Sequence, residues 1–348
     1  MSQLGSNNHH SKIGHTDEFN RQVDRSSRNE NESICLIVNP KAGAGSAGSN
    51  LGALKQAADR AFKNWEIRLT EGPRHGVELA EAASGEDFDI IAAVGGDGTC
   101  HEVINGMMCD DRARNKKQAF AVIPFGTGSD LIKSLGVPNH LREALWIAAT
   151  GMSLPTDVGK AVLSTDSGQI SRYFINVAGF GANGEVVRRA NQSSKRLGGR
   201  LTFLKATLQT ALSYTPAAIK LICETDAEQM QWEGPLMSAF IANGSYCGGG
   251  MWVGRGGTMH DGKLDLRLLR PMSLSTQLIQ SRRLYDGKFE RIPDSQSHQV
   301  SEVHATARAN DTVLVDLDGE LSGRLPGHFQ VLPRALQVRG RWSVNPID

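Results

Sequence analysis

The chain has 348 residues and a net charge of +1, enough length for two domains and no long-range field that would draw it to nucleic acid. Its five cysteines, Cys35, Cys100, Cys109, Cys223 and Cys247, form no C-x-x-C pair and no zinc-spaced cluster with histidine, which points to small core residues in a reducing compartment. No apolar run reaches the roughly 18 residues of a membrane helix, and the start lacks the apolar core of a secretory signal, so the expectation is a cytoplasmic protein that meets any lipid from the membrane surface.

Residues 1–32 are polar and nearly without apolar periodicity, the composition of a disordered tail. His9, His10 and His15 within it are either solvated or weak metal ligands. Ile34 to Val38 is continuously apolar, as a strand buried on both faces should be. Asn39-Pro40-Lys41-Ala42-Gly43-Ala44-Gly45 follows, then a helix to about Lys63. Gly43-x-Gly45-x-x-Gly48 formally matches a dinucleotide fingerprint, with Glu71 at about the expected distance. Lys41 is either a charge partner for a bound phosphate or a solvated loop lysine. Trp65 to Thr70 reads as the second strand and Gly76 to Ala83 as the next helix.

Ile90 to Val94 is another buried strand. It runs into Gly95-Gly96-Asp97-Gly98-Thr99 and a helix to about Met108, with Thr99 and Glu102 spaced as a capping box. A glycine-rich turn opening a helix suits phosphate, because free backbone N–H groups and the helix dipole favour an anion. Asp97 would repel that phosphate unless a metal ion bridges them, so it reads as metal-facing; the alternative is a turn aspartate bonding its own backbone. Ala119 to Ile123 is a further strand, leading into Gly126-Thr127-Gly128-Ser129-Asp130 and a helix ended by Gly136 and Pro138. Leu141 to Thr150 is helical. Three strands thus end in glycine-containing loops, at Asn39, Gly95 and Gly126, and a parallel sheet sets such loops along one edge. Together they predict an α/β nucleotide-binding domain over 33–150.

After Gly151 short strands alternate with turns: Asp157–Leu163, Arg172–Val177, Ala217–Cys223, Leu236–Ala242, Leu264–Leu269, Val300–Ala307 and Thr312–Leu317. This pattern predicts a mainly antiparallel domain over 151–327. One helix, about Leu197 to Tyr214, carries Leu201, Phe203, Leu204, Leu208, Ala211 and Leu212, which either line an acyl cleft or fill a core. Asp316-Leu317-Asp318-Gly319-Glu320 reads, on its residues alone, as an acidic hairpin tip. Arg188, Arg189, Lys195, Arg196 and Arg200 are either a docking patch for anionic lipid or a solvated basic loop.

From Gly95-Gly96-Asp97-Gly98-Thr99 outward the chain resembles the diacylglycerol kinase catalytic family, which includes bacterial soluble lipid kinases and sphingosine kinases. The resemblance covers Asn39-Pro40, Glu102, Asn105-Gly106, Pro124-x-Gly126-Thr127 with Asp130, Leu135-Gly136 and Pro138. It continues through Asp157-x-Gly159, Phe174-x-Asn176, Gly179, Gly181, Asn243-Gly244, Gly248 to Met251, Asp261-Gly262 with Leu264-Asp265, and Asp318-Gly319-Glu320. It implies an α/β domain like that of phosphofructokinase or NAD kinase, a β-sandwich-like domain, and an active site in the cleft between them. The chain end, 328–348, is expected to pack back on the first domain. The implied reaction moves the γ-phosphoryl of ATP to a lipid hydroxyl with Mg²⁺, diacylglycerol being the leading acceptor and a sphingoid base, monoacylglycerol or another lipid alcohol the others.

By resemblance, Asn39, Pro40, Lys41, Gly43, Gly95, Gly96, Asp97, Gly98, Thr99, Gly126, Thr127 and Asp130 form the nucleotide site. Asp97 also serves the metal, Glu320 is the general base, Asp157 meets the lipid head group and Asp261 holds a second, structural magnesium. Ser129 stands where the family usually has Asn, Ile132-Lys133 where it has Ala-Arg, Arg255 where it has Pro, and His260-Asp261 where it has Asp-Asp. Peripheral contact with the inner face of the cytoplasmic membrane and a homodimer are further implications. Three other readings stand beside this one: an NAD kinase, sharing the Gly-Gly-Asp-Gly loop; a nicotinamide-dependent oxidoreductase, which leaves two of the three loops unexplained; and a nucleotide or lipid sensor without turnover.

Overall fold

A computed structural model describes residues 29–125, 129–192, 199–254 and 259–341. The tail up to residue 28, Gly126, Thr127, Gly128, Lys195, Arg196 and Arg255 lie outside the described residues, as do the side chains of Arg200, Leu201, Phe203 and Leu204.

The first unit alternates strands and helices: β1 (Asn29–Val38), α1 (Leu51–Ala61), β2 (Phe62–Leu69), α2 (His75–Ser84), β3 (Ile90–Gly95), α3 (Asp97–Met107), β4 (Ala119–Pro124) and α4 (Leu141–Thr150). β2, β1, β3 and β4 are parallel neighbours in that order. β3 and β4 are buried at every position, which is why their sequences are apolar without alternation. β1 starts at Asn29, inside the stretch expected to be a tail. Its polar beginning is held by Asn29 Nδ2 donating to Ala149 O at 2.9 Å and by Arg339 paired with Glu32.

The second unit holds β5 (Met152–Thr165), β6 (Gly168–Phe174), β7 (Val177–Gly181), α5 (Ala182–Gln192), α6 (Gly199–Ser213), β8 (Ala217–Glu224), β9 (Gln229–Leu236), β10 (Ser238–Ala242) and β11 (Leu264–Leu269). It continues with α7 (Leu274–Gln280), β12 (Ser295–Val300), β13 (Glu302–Ala307), β14 (Leu314–Leu317) and β15 (Glu320–Gly340). Within this unit the pairing is antiparallel. The single expected strand over Val300–Ala307 is two strands, and α5 and α7 were not expected.

One sheet runs through both units in the order β12-β11-β10-β7-β14-β15-β4-β3-β1-β2. The joint is β15. It pairs antiparallel with β5 from Arg324 to Gly340, and near its end Gln337 and Val338 pair parallel with Ala119 and Phe120 of β4. Leu332, Leu336 and Val338 accordingly join the core of the α/β unit, while Phe329 and Val331 belong to the core of the sandwich.

The sequence expects Thr99 and Glu102 to cap α3. The helix instead begins at Asp97, with Gly96 as its cap and no side-chain cap bond. Glu102 reaches across to α2, where its two oxygens accept from Arg74 N at 2.8 Å and Gly76 N at 2.9 Å. It satisfies the free N–H groups of the neighbouring helix.

Candidate active site

Register decides where the three glycine-containing loops go. Val38 pairs with Val94, and Val94 with Ile123, so Asn39, Gly96 and Phe125 leave the sheet along one edge. Asn39 N donates to Val94 O at 3.1 Å and Phe125 N to Gly95 O at 3.0 Å. The first loop is tight: Lys41 N donates to Asn39 Oδ1 at 3.0 Å and Gly48 N to Pro40 O at 3.1 Å. Gly43 and Gly45 take positive φ there, which glycine adopts without a steric penalty. Lys41 is exposed, and Gly126 and Thr127 lie outside the described residues.

Asp97 ties the second loop to the third. Its Oδ1 accepts from Ser129 Oγ at 2.8 Å and from Leu131 N at 3.3 Å, and its Oδ2 from Asp130 N at 3.0 Å. Ser129, a departure from the family pattern, therefore still supplies a donor. Burial pushes the Asp97 carboxyl up to about 6, against the lowering effect of these donors. Asp130 in turn reaches the second unit: its Oδ2 accepts from Gly249 N and its Oδ1 from Lys133 Nζ, both at 2.7 Å. Gly248, Gly249 and Gly250 all have positive φ, so this glycine run is a backbone surface fitted against Asp130.

The opposite wall is the β14–β15 hairpin. Leu317 pairs with Glu320 across Asp318 and Gly319, whose φ values are 52° and 83°, a two-residue turn of the Asp-Gly kind. Asp318 fastens that turn. Its carboxylate accepts from Ile175 N at 3.1 Å, Asn176 N at 2.8 Å and Val177 N at 3.1 Å, and lies 3.2 Å from His101 Nδ1 on α3. Glu320 emerges next, exposed in the cleft. Its Oε1 lies where a Cβ on Gly98 would have to stand. Asp316, one strand position further in, is buried, and its Oδ2 has no hydrogen-bond partner among the described residues. Burial, with Asp318 beside it, pushes its carboxyl up to about 8.

A cavity of about 770 Å³ opens between these walls. Asp97, Gly98, Asp130, Asp316, Asp318 and Glu320 lie at its polar end. Its remainder is mostly apolar, lined by Val186, Val187, Leu208, Met237, Phe240, Leu278 and Leu284 among others. Thr207, Leu208, Thr210 and Ala211 of α6 face it, so that helix does line a cleft. α7 supplies Leu274, Gln277 and Leu278, a wall not expected from the sequence. Its short helix gives little periodicity to detect. Leu208, Leu212, Leu278, Ile279 and Tyr285 are exposed at 50–73%.

Asp157 and Asp261 are not brought to this cavity. Asp157 is fully buried, its Oδ1 accepting from Arg334 N and its Oδ2 from Gly262 N, both at 2.7 Å. In the described structure it clamps backbone from two distant segments. Asp261 is exposed, and its Oδ1 accepts from Lys263 N at 3.0 Å. Of the basic cluster, the described members Arg188 and Arg189 both bind Glu185, at 2.6 Å and 2.5 Å.

Known proteins resemble this chain in both of its units. Residues 33–161 match the family described as the diacylglycerol kinase catalytic domain. Residues 176–340 match the YegS C-terminal NAD kinase beta sandwich-like domain. A diacylglycerol kinase of Bacillus subtilis (strain 168) is 27% identical over 304 residues, covering 87% of this chain and 94% of its own. A protein named "Probable lipid kinase YegS-like" from Enterobacter sp. (strain 638) is 27% identical over 317 residues, covering 87% and 94%. The crystal structure of a diacylglycerol kinase from Bacillus anthracis str. Sterne superimposes with a TM-score of 0.67 at 26% identity, covering 89% of this chain and 97% of the other.

Proposed function

The chain belongs to the diacylglycerol kinase catalytic-domain family of lipid kinases, and from that premise we propose that it transfers the γ-phosphoryl group of ATP to a lipid hydroxyl, with diacylglycerol the leading acceptor and Mg²⁺ the cofactor. One observation carries the acceptor class: the 770 Å³ cavity is apolar over most of its wall and carboxylate-rich at one end. That volume falls in the range of ligand pockets, about 300–1,000 Å³. An acyl chain would lie along Val186, Leu208, Met237 and Phe240, bringing its hydroxyl to Glu320. A soluble acceptor such as a dinucleotide gains nothing from such a wall.

In this reading the nucleotide binds along the Asn39, Gly96 and Phe125 edge, where the start of α3 offers backbone N–H groups to phosphate oxygens. Asp97 holds the second and third loops in register through Ser129, Asp130 and Leu131. Glu320 accepts the proton of the lipid hydroxyl as its oxygen bonds to the γ-phosphorus; the bond to the bridging oxygen breaks and ADP leaves with the electron pair. The residues at the polar end fit Mg²⁺, a hard cation that takes oxygen donors: Asp316 Oδ2 is buried and has no partner among the described residues, and Asp97 faces the same cavity. Asp97 and Asp316 would hold it, and when bound it supplies neutralisation of phosphate charge. The exposed Leu208, Leu212, Leu278, Ile279 and Tyr285 support peripheral contact with a bilayer at the cavity mouth.

The test is phosphate transfer from labelled ATP with Mg²⁺ to micelles of diacylglycerol, monoacylglycerol or sphingosine, with NAD as a soluble control. Labelled phosphatidic acid is the expected product. Label on NAD alone, or on nothing while ATP still binds, overturns the proposal.

A further inference from the structure

We propose that Glu302, His304 and His328 form a site for a borderline divalent metal ion of the zinc class on the outer face of the sandwich, away from the active-site cavity. The three side chains come together through strand register. His304 of β13 pairs directly with His328 of β15, and Glu302 pairs with Gln330 two positions along. Side chains directly opposite on one face of an antiparallel pair stand about 4.5–5.5 Å apart at Cβ, and residues two apart share a face. The intervening Val303, Ala305 and Phe329 point inward and are buried. That fixes Glu302, His304 and His328 on the outer face.

Both imidazoles aim Nε2 at the same carboxylate oxygen. Glu302 Oε1 lies 2.8 Å from His304 Nε2 and 2.6 Å from His328 Nε2. The rings are parallel, with centroids 4.1 Å apart, and the three ligand atoms fall within 4.8 Å of one another. Two imidazoles and one carboxylate are a zinc donor set, with bonds of about 2.0–2.2 Å that place ligand atoms about 3.3 Å apart in a tetrahedron. The carboxylate oxygen would have to draw back from the two nitrogens by about half an ångström to reach that spacing. The side chains keep 30–50% exposure, so they are free to make that shift and leave a coordination position open to water. Imidazole ligands favour zinc, copper or nickel over magnesium, so this site and a magnesium site in the cavity would not compete for one ion.

The place gives the ion a structural consequence. β15 begins at Glu320 and ends paired with β4 of the α/β unit. His328 lies between those ends. An ion bound there ties β13 to β15 and stabilises the folded chain by mass action.

The test uses the full chain, stripped with a chelator and titrated with Zn²⁺ by calorimetry and by thermal unfolding. One equivalent binding at micromolar Zn²⁺ is expected, with a raised Tm and no displacement by millimolar Mg²⁺. His304→Ala and His328→Ala should each abolish that equivalent, and Glu302→Gln should weaken it at least about tenfold. Circular dichroism confirms that these exposed substitutions leave the fold intact. Replacing His9, His10 and His15 by Gln should leave the equivalent in place, and Co²⁺ should give a spectrum without a thiolate charge-transfer band. No Zn²⁺ binding at micromolar concentration overturns the proposal and leaves a hydrogen-bonded surface triad. Zn²⁺ binding that survives His304→Ala and His328→Ala, or that carries the thiolate band, overturns it equally.

Discussion

Glu320 Oε1 fills the space that a Cβ on Gly98 would require. The glycine in the first turn of α3 thus admits a carboxylate from the far wall of the cleft. The atom in the way is the end of a flexible side chain, so Gly98→Ala should displace Glu320 without unfolding anything. An alanine within a helix also gains up to about 1 kcal/mol over glycine. The expected variant is at least as stable as the parent in urea and strongly impaired in phosphate transfer. Full activity in that variant would detach Glu320 from the chemistry.

Asp318 is the anchor of the same hairpin. Removing its carboxylate leaves three buried N–H groups, of Ile175, Asn176 and Val177, without their acceptor. Each unsatisfied donor costs about 1–3 kcal/mol. Asp318→Ala should therefore lose roughly 3–5 kcal/mol in chemical denaturation. A loss below about 1 kcal/mol would mean that solvent reaches those groups.

The Glu185 cluster predicts an acid-side effect. Its hydrogen bond from Arg188 leads, ahead of burial and the second bond from Arg189, and the carboxyl falls to about 2 from an ordinary 4.5. A depressed carboxyl stabilises the fold above its ordinary value and loses that effect as pH falls towards about 2. The pair sits near the surface, so its contribution is about 0.5–1 kcal/mol. The stability gap between wild type and Glu185→Gln should shrink as urea midpoints are followed from about pH 6 to pH 3. A constant gap would assign the effect to packing.

Leu278, which lines the cavity, and its neighbour Ile279 are exposed at 59% and 73%. Burying one such side chain is worth about 1.5–3 kcal/mol. Leu278→Asp with Ile279→Asp should lower vesicle co-sedimentation at least roughly tenfold and raise KM for micellar lipid, with ATP binding unchanged. Sedimentation that is indifferent to these changes yet falls on replacing Arg188 and Arg189 would move the membrane contact to the basic helix.

The parts of this fold visible in the sequence are those with local causes. Ile90 to Val94 is apolar throughout because both faces are buried, and the turn after it needs Gly95, where a side chain would meet Thr99. Asp318-Gly319 announces a tight hairpin because both residues sit at positive φ. What the sequence hides has distant causes. Asp157 is committed to Gly262 and Arg334, 105 and 177 positions away, and nothing near it in the chain signals a clamp. β15 is obscured by its breaks in register between Arg324 and Gly327 and between Leu332 and Leu336, where Arg334 takes positive φ. Its apolar alternation restarts at each break. Glu302, His304 and His328 become neighbours only through that strand's pairing.

The most direct measurement is single-turnover phosphate transfer from ATP to diacylglycerol in micelles, wild type against Glu320→Gln, with ATP binding and circular dichroism recorded on both. The account predicts a loss of about 10²–10⁴-fold in the rate of transfer, with nucleotide affinity and fold unchanged. A Glu320→Gln rate within a few-fold of wild type would contradict it, and would mean that the carboxylate facing Gly98 is not the group that takes the lipid proton.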